Sequence, residues 1–452
     1  MRGMRWLQMA AVLWCGRSAV GAETGVPETA EARGVPEGDL VPAREFSLGP
    51  ALPLVAGWDA KKGFYLSDAE KAVFLLKIGG VLQVRYTFVG RDKRGDVADP
   101  GETRDVSVFE LERLRVNLGG HVIHPNLTYF LQFDADTDHE SEAVFLDAYV
   151  QYRAGGLLGV EPDAIAVGAG QWKPYFLRQE ATSSSKQQFV ERSLANEFFN
   201  IDRNLGVWVQ GDVHPVFYAF AVTNGFDSLG VSPGEIDQVP AFVGKLDVAI
   251  LGREGGKYEE SAVATKAEPT WVVGASFASD QNNGSSDVGT SQPFKAYQFG
   301  ADTVFKWSMF SLQAEYMGRW LRYREGNNVP GMAGDGDIHY AHGFYVQAGA
   351  FLVPGTLEIA SRASAIWCDG PRGGNAFEAG PCLSWYISRS HNVKFQTDLL
   401  FFDISEDIQI QTETLDRPRT TGGSVEPFAS SAAGYRSGTQ GVMWRAQFQV
   451  RF

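Results

Sequence analysis

The sequence lacks any long hydrophobic run. No run of about 18 apolar residues follows the short apolar stretch near the N-terminus, so a membrane-spanning helix is excluded. Only three cysteines occur among its 452 residues, too few for a disulfide-stabilised scaffold of this size. No sequence repeat of fixed period is found, which argues against a propeller or a solenoid.

Positive charge is in the minority. The chain has 40 Lys and Arg against 54 Asp and Glu, giving a net charge of -14. A nucleic-acid-binding surface needs an excess of cations, so we expect no nucleic acid partner.

Metal and catalytic motifs are also scarce. Asp134, Asp136 and Asp138 have the spacing of a calcium loop, but His139 and Phe145 stand where that loop needs glycine and glutamate. There is no H-E-x-x-H motif, and no nucleophile can be paired with a general base. We therefore expect no metal, no cofactor and no enzymatic activity.

The last eleven residues show what the chain has instead. Alternate side chains of a strand point to opposite faces, and here one face is apolar and the other polar up to Phe452. A strand of about ten residues is long enough to cross a bilayer in a tilted barrel. The same period suits the last strand of a soluble sandwich, so this segment alone leaves both open. The apolar face consists of Val442, Trp444, Ala446, Phe448, Val450 and Phe452.

The N-terminus favours export. Arg2 and Arg5 precede an apolar stretch, and the small residues Gly21 and Ala22 follow it, as in a secretory signal peptide. We expect a signal peptide at residues 1–22, then a flexible periplasmic lead rich in Pro, Glu, Ala and Gly at residues 23–57. Residues 58–452 would form the folded domain.

Connections between the predicted strands alternate between tight and long. Tight turns are predicted at 124–126, 214–215, 307–308, 354–355 and 390–392, with longer loops between them. Short turns on one rim and long loops on the other are typical of an outer-membrane barrel. Segmentation gives about sixteen strands, although the connection at 252–270 is too long for the scheme.

Charges alternate with apolar residues within these strands. Arg113 and Arg115 oppose Leu114 and Val116, for example. In a sandwich core each charge would need a buried partner, whereas in a wet lumen it costs little. We therefore predict an all-β fold, a transmembrane antiparallel barrel in the bacterial outer membrane.

Several stretches together resemble the phosphate-selective porins O and P. The resemblance implies a sixteen-stranded trimeric barrel in outer-membrane lipid, with an inward-folding loop and with Arg and Lys guiding small anions. It also implies that the terminal aromatic strand is read by the assembly machinery. The stretches, in chain order, are LKIGGVLQ at 76–83, FELERLRV at 109–116, DAYV at 147–150, GQWKP at 170–174, FVERSL at 189–194 and GFYVQ at 343–347.

The connection at residues 173–203 is the predicted inward-folding loop. Phe189, Val190, Leu194 and Phe198 are spaced so that a short helix would have one apolar face. Fixed cations in a confined lumen lower the barrier for anions, because charge is screened less there than in bulk water. A solvated external loop with incidental charges is the alternative. The loop contributes the candidate pore-lining cations Lys173, Arg178, Lys186, Arg192 and Arg203.

Arg113 and Arg115 complete the candidate set. They lie on the polar face of one strand, about 7 Å apart, and a guanidinium can donate two hydrogen bonds to phosphate together. The chain departs from the resembling family at Glu112, where those porins tend to carry arginine. If Glu112 faces the lumen, it opposes anion attraction, and phosphate selectivity is then in doubt.

Cys368 and Cys382 flank a Gly- and Pro-rich loop. An oxidising compartment would let them pair, so we predict a disulfide, with two free buried thiols as the alternative. For the whole chain we predict a water-filled channel for small solutes, with anions such as phosphate as the expected cargo. The alternatives are a general or cation-tolerant porin and a structural barrel.

Overall fold

The structure is a computed structural model. It describes residues 53–59, 63–93, 105–135, 144–226, 239–254, 256–264, 268–282, 294–323, 338–369, 374–405, 435 and 438–452. The predicted signal peptide, and the predicted lead up to residue 52, lie outside these residues. So do Asp136, Asp138 and most of the long loops.

Eighteen strands and two short α-helices make up the described chain. The strands are β1 Leu54–Asp59, β2 Gly63–Asp68, β3 Phe74–Lys93, β4 Val106–Val122, β5 Leu127–Asp134, β6 Val144–Arg153, β7 Ala166–Trp172, β8 Asn204–Val213, β9 Val216–Thr223, β10 Ala241–Leu251, β11 Thr270–Asn282, β12 Phe294–Trp307, β13 Phe310–Tyr323, β14 Ile338–Val353, β15 Leu357–Asp369, β16 Asn375–Tyr386, β17 Val393–Ile404 and β18 Thr439–Arg451. The helices are α1 Arg178–Ala181 and α2 Leu194–Phe199.

Strands β3 to β18 form a closed barrel. Each pairs antiparallel with the next, and β18 returns to pair with β3, as in the register Val450↔Leu82. The predicted sixteen-stranded antiparallel barrel is thus confirmed.

An N-terminal hairpin precedes the barrel. The predicted lead extended to residue 57, but β1 already begins at Leu54, because its backbone pairs with β2 from Leu54↔Asp68 onward. The hairpin joins the barrel where β2 pairs with the start of β3, at Phe64↔Ile78.

The terminal residue Phe452 pairs with Gly80 where the last barrel strand meets the first. The backbone N–H of Phe452 donates to the carbonyl of Gly80 over 3.1 Å, and the N–H of Gly80 donates to the carbonyl of Phe452 over 2.9 Å. A Cβ at Gly80 would lie 2.6 Å from the Phe452 ring. Only glycine therefore permits this contact between the two ends of the barrel.

Polarity is the reverse of that in a soluble fold. On β3, the inward-facing Gln83, Arg85 and Thr87 are at most 1% exposed, while the outward-facing Val84 and Phe88 are 42% and 37% exposed. An apolar exterior is stable only where lipid or another protein covers it. Among the described residues, no helix is long and apolar enough to cross a membrane.

The connections alternate as predicted. Tight turns such as 214–215 and 354–355 lie at one end of the strands, which we call the short-turn rim; the opposite end is the long-loop rim. Two connections on the short-turn rim are long exceptions: residues 154–165, with two short 3-10 turns, and the connection at 252–270. The described part of the latter at 256–264 folds into the barrel, where Tyr258, Glu260 and Ser261 are buried. We call residues 256–264 the rim segment.

Candidate functional site: a passage between the inward loop and the barrel wall

Residues 173–203, which connect β7 to β8, lie inside the barrel and form the inward loop. Most of the side chains are buried, which corrects the alternative of a solvated external loop. The predicted helix is shorter than expected. Phe189 and Val190 precede α2, because the side chain of Ser193 accepts a hydrogen bond from the N–H of Asn196 and so begins the helix there.

Carboxylates of the wall hold one side of the loop. Glu315 on β13 accepts from the backbone N–H groups of Arg178 at 2.7 Å and Gln179 at 3.2 Å. Glu378 on β16 accepts from the N–H of Leu194 at 3.1 Å. A buried N–H without a partner is costly, so these acceptors fix the loop against the β10–β17 side. They are thereby occupied and do not line open space.

Arg178 is a fastening residue of this side. Only 1% exposed, it pairs with Asp302, with Asp247 at 3.2 Å and with Glu254 at 2.5 Å. Its guanidinium also lies 4.4 Å from the ring centroid of Tyr258 on the rim segment. Arg178 therefore joins the loop, the wall and the rim segment, and it does not face a cavity.

Arg113 fastens the loop on β4. Its Nη2 lies 2.8 Å from Glu191 and 3.3 Å from Glu112. Arg85 on β3 pairs with the same two carboxylates, at 2.8 Å and 3.0 Å. These four charges form one buried cluster, so Arg113 has its charge balanced locally.

A β-bulge turns Glu112 inward. The β3–β4 register shifts between Gln83 and Val84, which face Arg113 and Leu111 and leave Glu112 as the extra residue. Glu112 and Arg113 are consequently both buried on the inner side. Glu112 therefore lies on the same inner side as Arg85 and Arg113 and pairs with both.

Four of the other candidate cations line one cavity of about 340 Å³, which we call the upper cavity. It lies between the inward loop and the β4–β8 wall. Arg203 pairs with Asp147 at 3.1 Å, and Arg192 pairs with Glu180 at 3.0 Å. Four cations thus face two lining carboxylates in this cavity. The cations are Arg115, Lys173, Arg192 and Arg203.

The remaining two pairs leave the upper cavity only mildly positive. Arg115 lies 2.5 Å from Asp134, and Lys173 bonds Glu180 and lies 3.7 Å from Asp202. Burial, and then the charges of Arg192 and Arg203, lower the pKa of Lys173 well below its usual range. An entering anion therefore shares cations with carboxylates already present.

A second cavity continues toward the short-turn rim. This lower cavity of about 670 Å³ shares Phe130, Tyr149 and Gln151 with the upper one. None of the residues that line it is Asp or Glu. The terminal residue Phe452 also lines it. Its cations are Lys77, Arg153 and Arg451.

Sequence reasoning missed these three cations. The available signal was alternation, since Arg451 follows Val450 and Arg153 follows Tyr152 on the polar side of their strands. What alternation does not show is which inward-facing cations share one cavity.

Lys186 does not join either cavity. It lies in a short 3-10 turn of the loop, and its backbone carbonyl accepts from the N–H of Glu260 on the rim segment at 3.3 Å. Its charge interacts most strongly with those of Glu259, Arg451 and Lys306. We therefore remove Lys186 from the predicted set of lining residues.

The predicted disulfide is wrong. Cys368 and Cys382 are both free and buried. Cys382 pairs in register with Ala360, eight positions before Cys368 on the same strand. At about 3.4 Å per residue that is roughly 27 Å, far beyond the reach of a disulfide.

Metal ligands do not cluster in the described part of the chain. Asp134, the first residue of the calcium-like spacing, is committed to Arg115.

Comparisons with known proteins agree with this architecture. A family model, phosphate-selective porin O and P, matches residues 84–400. Comparison with curated proteins gives no match.

Two solved structures illustrate the fold. The anion-selective porin from Comamonas acidovorans has 10% identity and a TM-score of 0.53, over 83% of this chain and 99% of the other. The Salmonella typhi OmpF complex with daunomycin has 11% identity and a TM-score of 0.50, over 84% and 98%. Since the family model covers most of the chain, the protein belongs to the phosphate-selective porin O and P family of outer-membrane channels.

Proposed function

We propose that the protein conducts small anions through the upper and lower cavities, between the inward loop and the β4–β8 wall. The observation that carries the proposal is the division of charge across the loop. Carboxylates of the β10–β17 side are occupied by loop N–H groups and by Arg178. The opposite side presents four cations in one cavity and three in the next.

The expected preference is moderate. Arg115, Lys173, Arg192 and Arg203 each already have a carboxylate partner, so a phosphate ion would compete with Asp134, Asp147, Glu180 and Asp202. Tight phosphate capture requires cations that are left unneutralised. We therefore infer weak anion preference and weak phosphate block, rather than a dedicated phosphate site.

The test is a planar-bilayer recording of the purified full chain under a potassium chloride gradient. Stepwise conductance with a reversal potential of anionic sign supports the proposal. A reversal potential of cationic sign would establish the cation-tolerant porin. Sealed bilayers, with protein inserted, would establish a structural barrel.

We also propose that the native assembly is a homotrimer, exported through a signal peptide. Strands β5, β7 and β9 have only 7 or 8 residues. At about 3.3 Å per residue and a tilt near 40°, they cover roughly 20 Å, less than the apolar band of about 25 Å. The outward side chains Val167 on β7, Val207 on the intervening β8 and Phe220 on β9 are half exposed. Neighbouring subunits would cover this low, apolar sector.

Native mass spectrometry in detergent tests the assembly. A complex three times the mass of the chain is expected. A monomer under conditions that preserve other porin trimers would reject the assembly without touching the channel proposal.

A further inference from the structure

Four aromatic side chains form a strip on the inner β5–β8 wall. Phe130 on β5 and Tyr149 on β6 have ring centroids 5.6 Å apart. Tyr149 and Trp208 on β8 follow at 5.4 Å, and Trp208 and Trp172 on β7 at 4.0 Å. The rings thus touch in sequence across four strands. We call these four residues the aromatic strip.

A glycine on β7 makes the contact between Tyr149 and Trp208 possible. β7 lies between β6 and β8, so Tyr149 and Trp208 are two strands apart. Gly168 stands directly opposite Trp208, and a Cβ there would lie 2.2 Å from the indole. Any larger residue would push Trp208 away from Tyr149. The strip therefore depends on a glycine at a strand interior, where glycine is otherwise unfavourable.

The strip faces the passage and does not serve only to support the loop. Phe130 and Tyr149 line both cavities and therefore stand where the two meet. Neither ring is fully buried. Trp208 is oriented by a 3.1 Å hydrogen bond from its indole N–H to Gln151, which also lines both cavities. A solute moving between the cavities passes ring faces held in fixed positions.

Cations line the same cavity as these rings. Arg203 and Lys173 share the upper cavity with Phe130, Tyr149 and Trp208. A compact inorganic anion can use only the cations. An anion with a flat ring can pair its carboxylate with a cation and stack its ring on the strip, gaining both contributions.

We propose that the passage preferentially takes small organic anions with a flat ring, of the aromatic carboxylate class, over compact anions of equal charge. This rests on the proposed function, because it presumes that anions enter the two cavities. It assigns to the aromatic strip the role of discriminating among anions that the cations admit alike.

The experiment measures block of the chloride current by benzoate, acetate and phosphate in planar bilayers holding the purified full chain. Wild type should be half-blocked by benzoate at a concentration about three- to tenfold lower than by acetate, the range that one aromatic contact provides. The double variant Phe130→Leu/Tyr149→Leu keeps apolar volume but removes two rings. It should bring benzoate close to acetate while leaving acetate and phosphate unchanged.

Two controls distinguish the loss of an aromatic ring from a general disturbance of the fold. Tyr149→Phe keeps the ring and should keep the benzoate preference. Phe242→Leu, on the outer face of β10, should change no blocking concentration. Should the double variant fail to assemble, the benzoate-to-acetate ratio of wild type still decides the proposal.

Equal block of wild type by benzoate and acetate overturns this inference, as does a double variant that retains the wild-type ratio. Both results leave an anion-selective channel intact. A cation-selective reversal potential instead overturns the proposed function itself, so the two failures are distinguishable.

Discussion

Nη2 of Arg113 on the barrel wall lies 2.8 Å from Oε2 of Glu191 on the inward loop. The contact joins the loop to β4, on the side opposite the acidic wall that holds its other face. Arg85 reaches the same carboxylate oxygen at 2.8 Å. The loop is consequently held at both sides.

Glu191→Gln should loosen this attachment. It leaves Arg113 paired with Glu112, and Arg85 paired with Glu112 and, at 3.8 Å, with Glu110. Breaking a buried pair costs about 3 kcal/mol. We expect a lower midpoint of heat modification on gels and noisier, larger single-channel currents. Glu70→Gln, at an exposed position, serves as the matched control. A quiet channel of unchanged conductance in Glu191→Gln would show that the contact does not hold the loop.

Acid should loosen the rim segment. His391, in the turn between β16 and β17, lies 2.9 Å from Glu259. Burial lowers the pKa of His391 from 6.5 to about 4, although the hydrogen bond to Glu259 partly offsets this. Between pH 6.5 and about 4, His391 is therefore protonated in the unfolded chain but neutral in the folded chain. The stability contributed by neutral His391 is full above pH 6.5 and is lost as the pH falls toward 4.

Heat-modification midpoints measured between pH 7.5 and 4 check this sign. The wild-type midpoint should fall across the window between the two pKa values, and His391→Asn should flatten that part of the curve. His124→Asn, in an exposed turn, should follow wild type. A His391→Asn curve parallel to wild type would remove His391 as the cause.

Both cysteines should remain thiols in the native protein. They are buried at separate register positions, and burial leaves them inert until the barrel unfolds. After denaturation without reductant, mass mapping should find Cys368 and Cys382 fully alkylated. A peptide pair linked through these two residues would contradict the register of β15 and β16.

Deleting Phe452 should impair assembly. The deletion removes two backbone hydrogen bonds to Gly80 and the ring packed against it, at the seam between the first and last barrel strands. We expect less heat-modifiable protein in outer-membrane fractions. Phe452→Tyr, which keeps the ring and backbone, should assemble as wild type does. Normal membrane levels of the truncated chain would show that the seam tolerates the loss.

Much of the fold was predictable because it follows from period-two patterns. The strand count and most of the alternation of turns follow from local sequence, whereas an inward-folding loop was implied by the resemblance to the porin family. The inward orientation of Glu112 was not predictable, because the extra residue of a β-bulge shifts the alternation of inward and outward side chains by one position.

The sequence did not show which cations line a cavity, because that depends on the partners that each side chain meets in the folded barrel. Arg178 and Arg192 look alike in the sequence. Yet Arg178 is occupied by Asp247 and Asp302 of the wall and by Glu254 of the connection after β10, while Arg192 lines the upper cavity. Equally, no local pattern indicates that Tyr149 meets Trp208 across a glycine on the strand between them.

Selectivity should be set by the cations of the passage and not by the net charge of -14. A charge that lies more than a screening length of about 8 Å from the lumen contributes little to its potential. Changing Arg113 to glutamine should mainly affect loop stability, since its charge is balanced by Glu191. Changing Arg115 should move selectivity, because Arg115 lines the upper cavity.

The most direct measurement is therefore the reversal potential of Arg115→Gln/Arg203→Gln under a potassium chloride gradient, with Arg322→Gln at an exposed position as the charge-matched surface control. We expect an anionic sign for wild type, a clear shift toward cation preference in the double variant and almost none in the control. Equal shifts in the double variant and the control, or no shift in the double variant, would contradict the placement of the conducting passage.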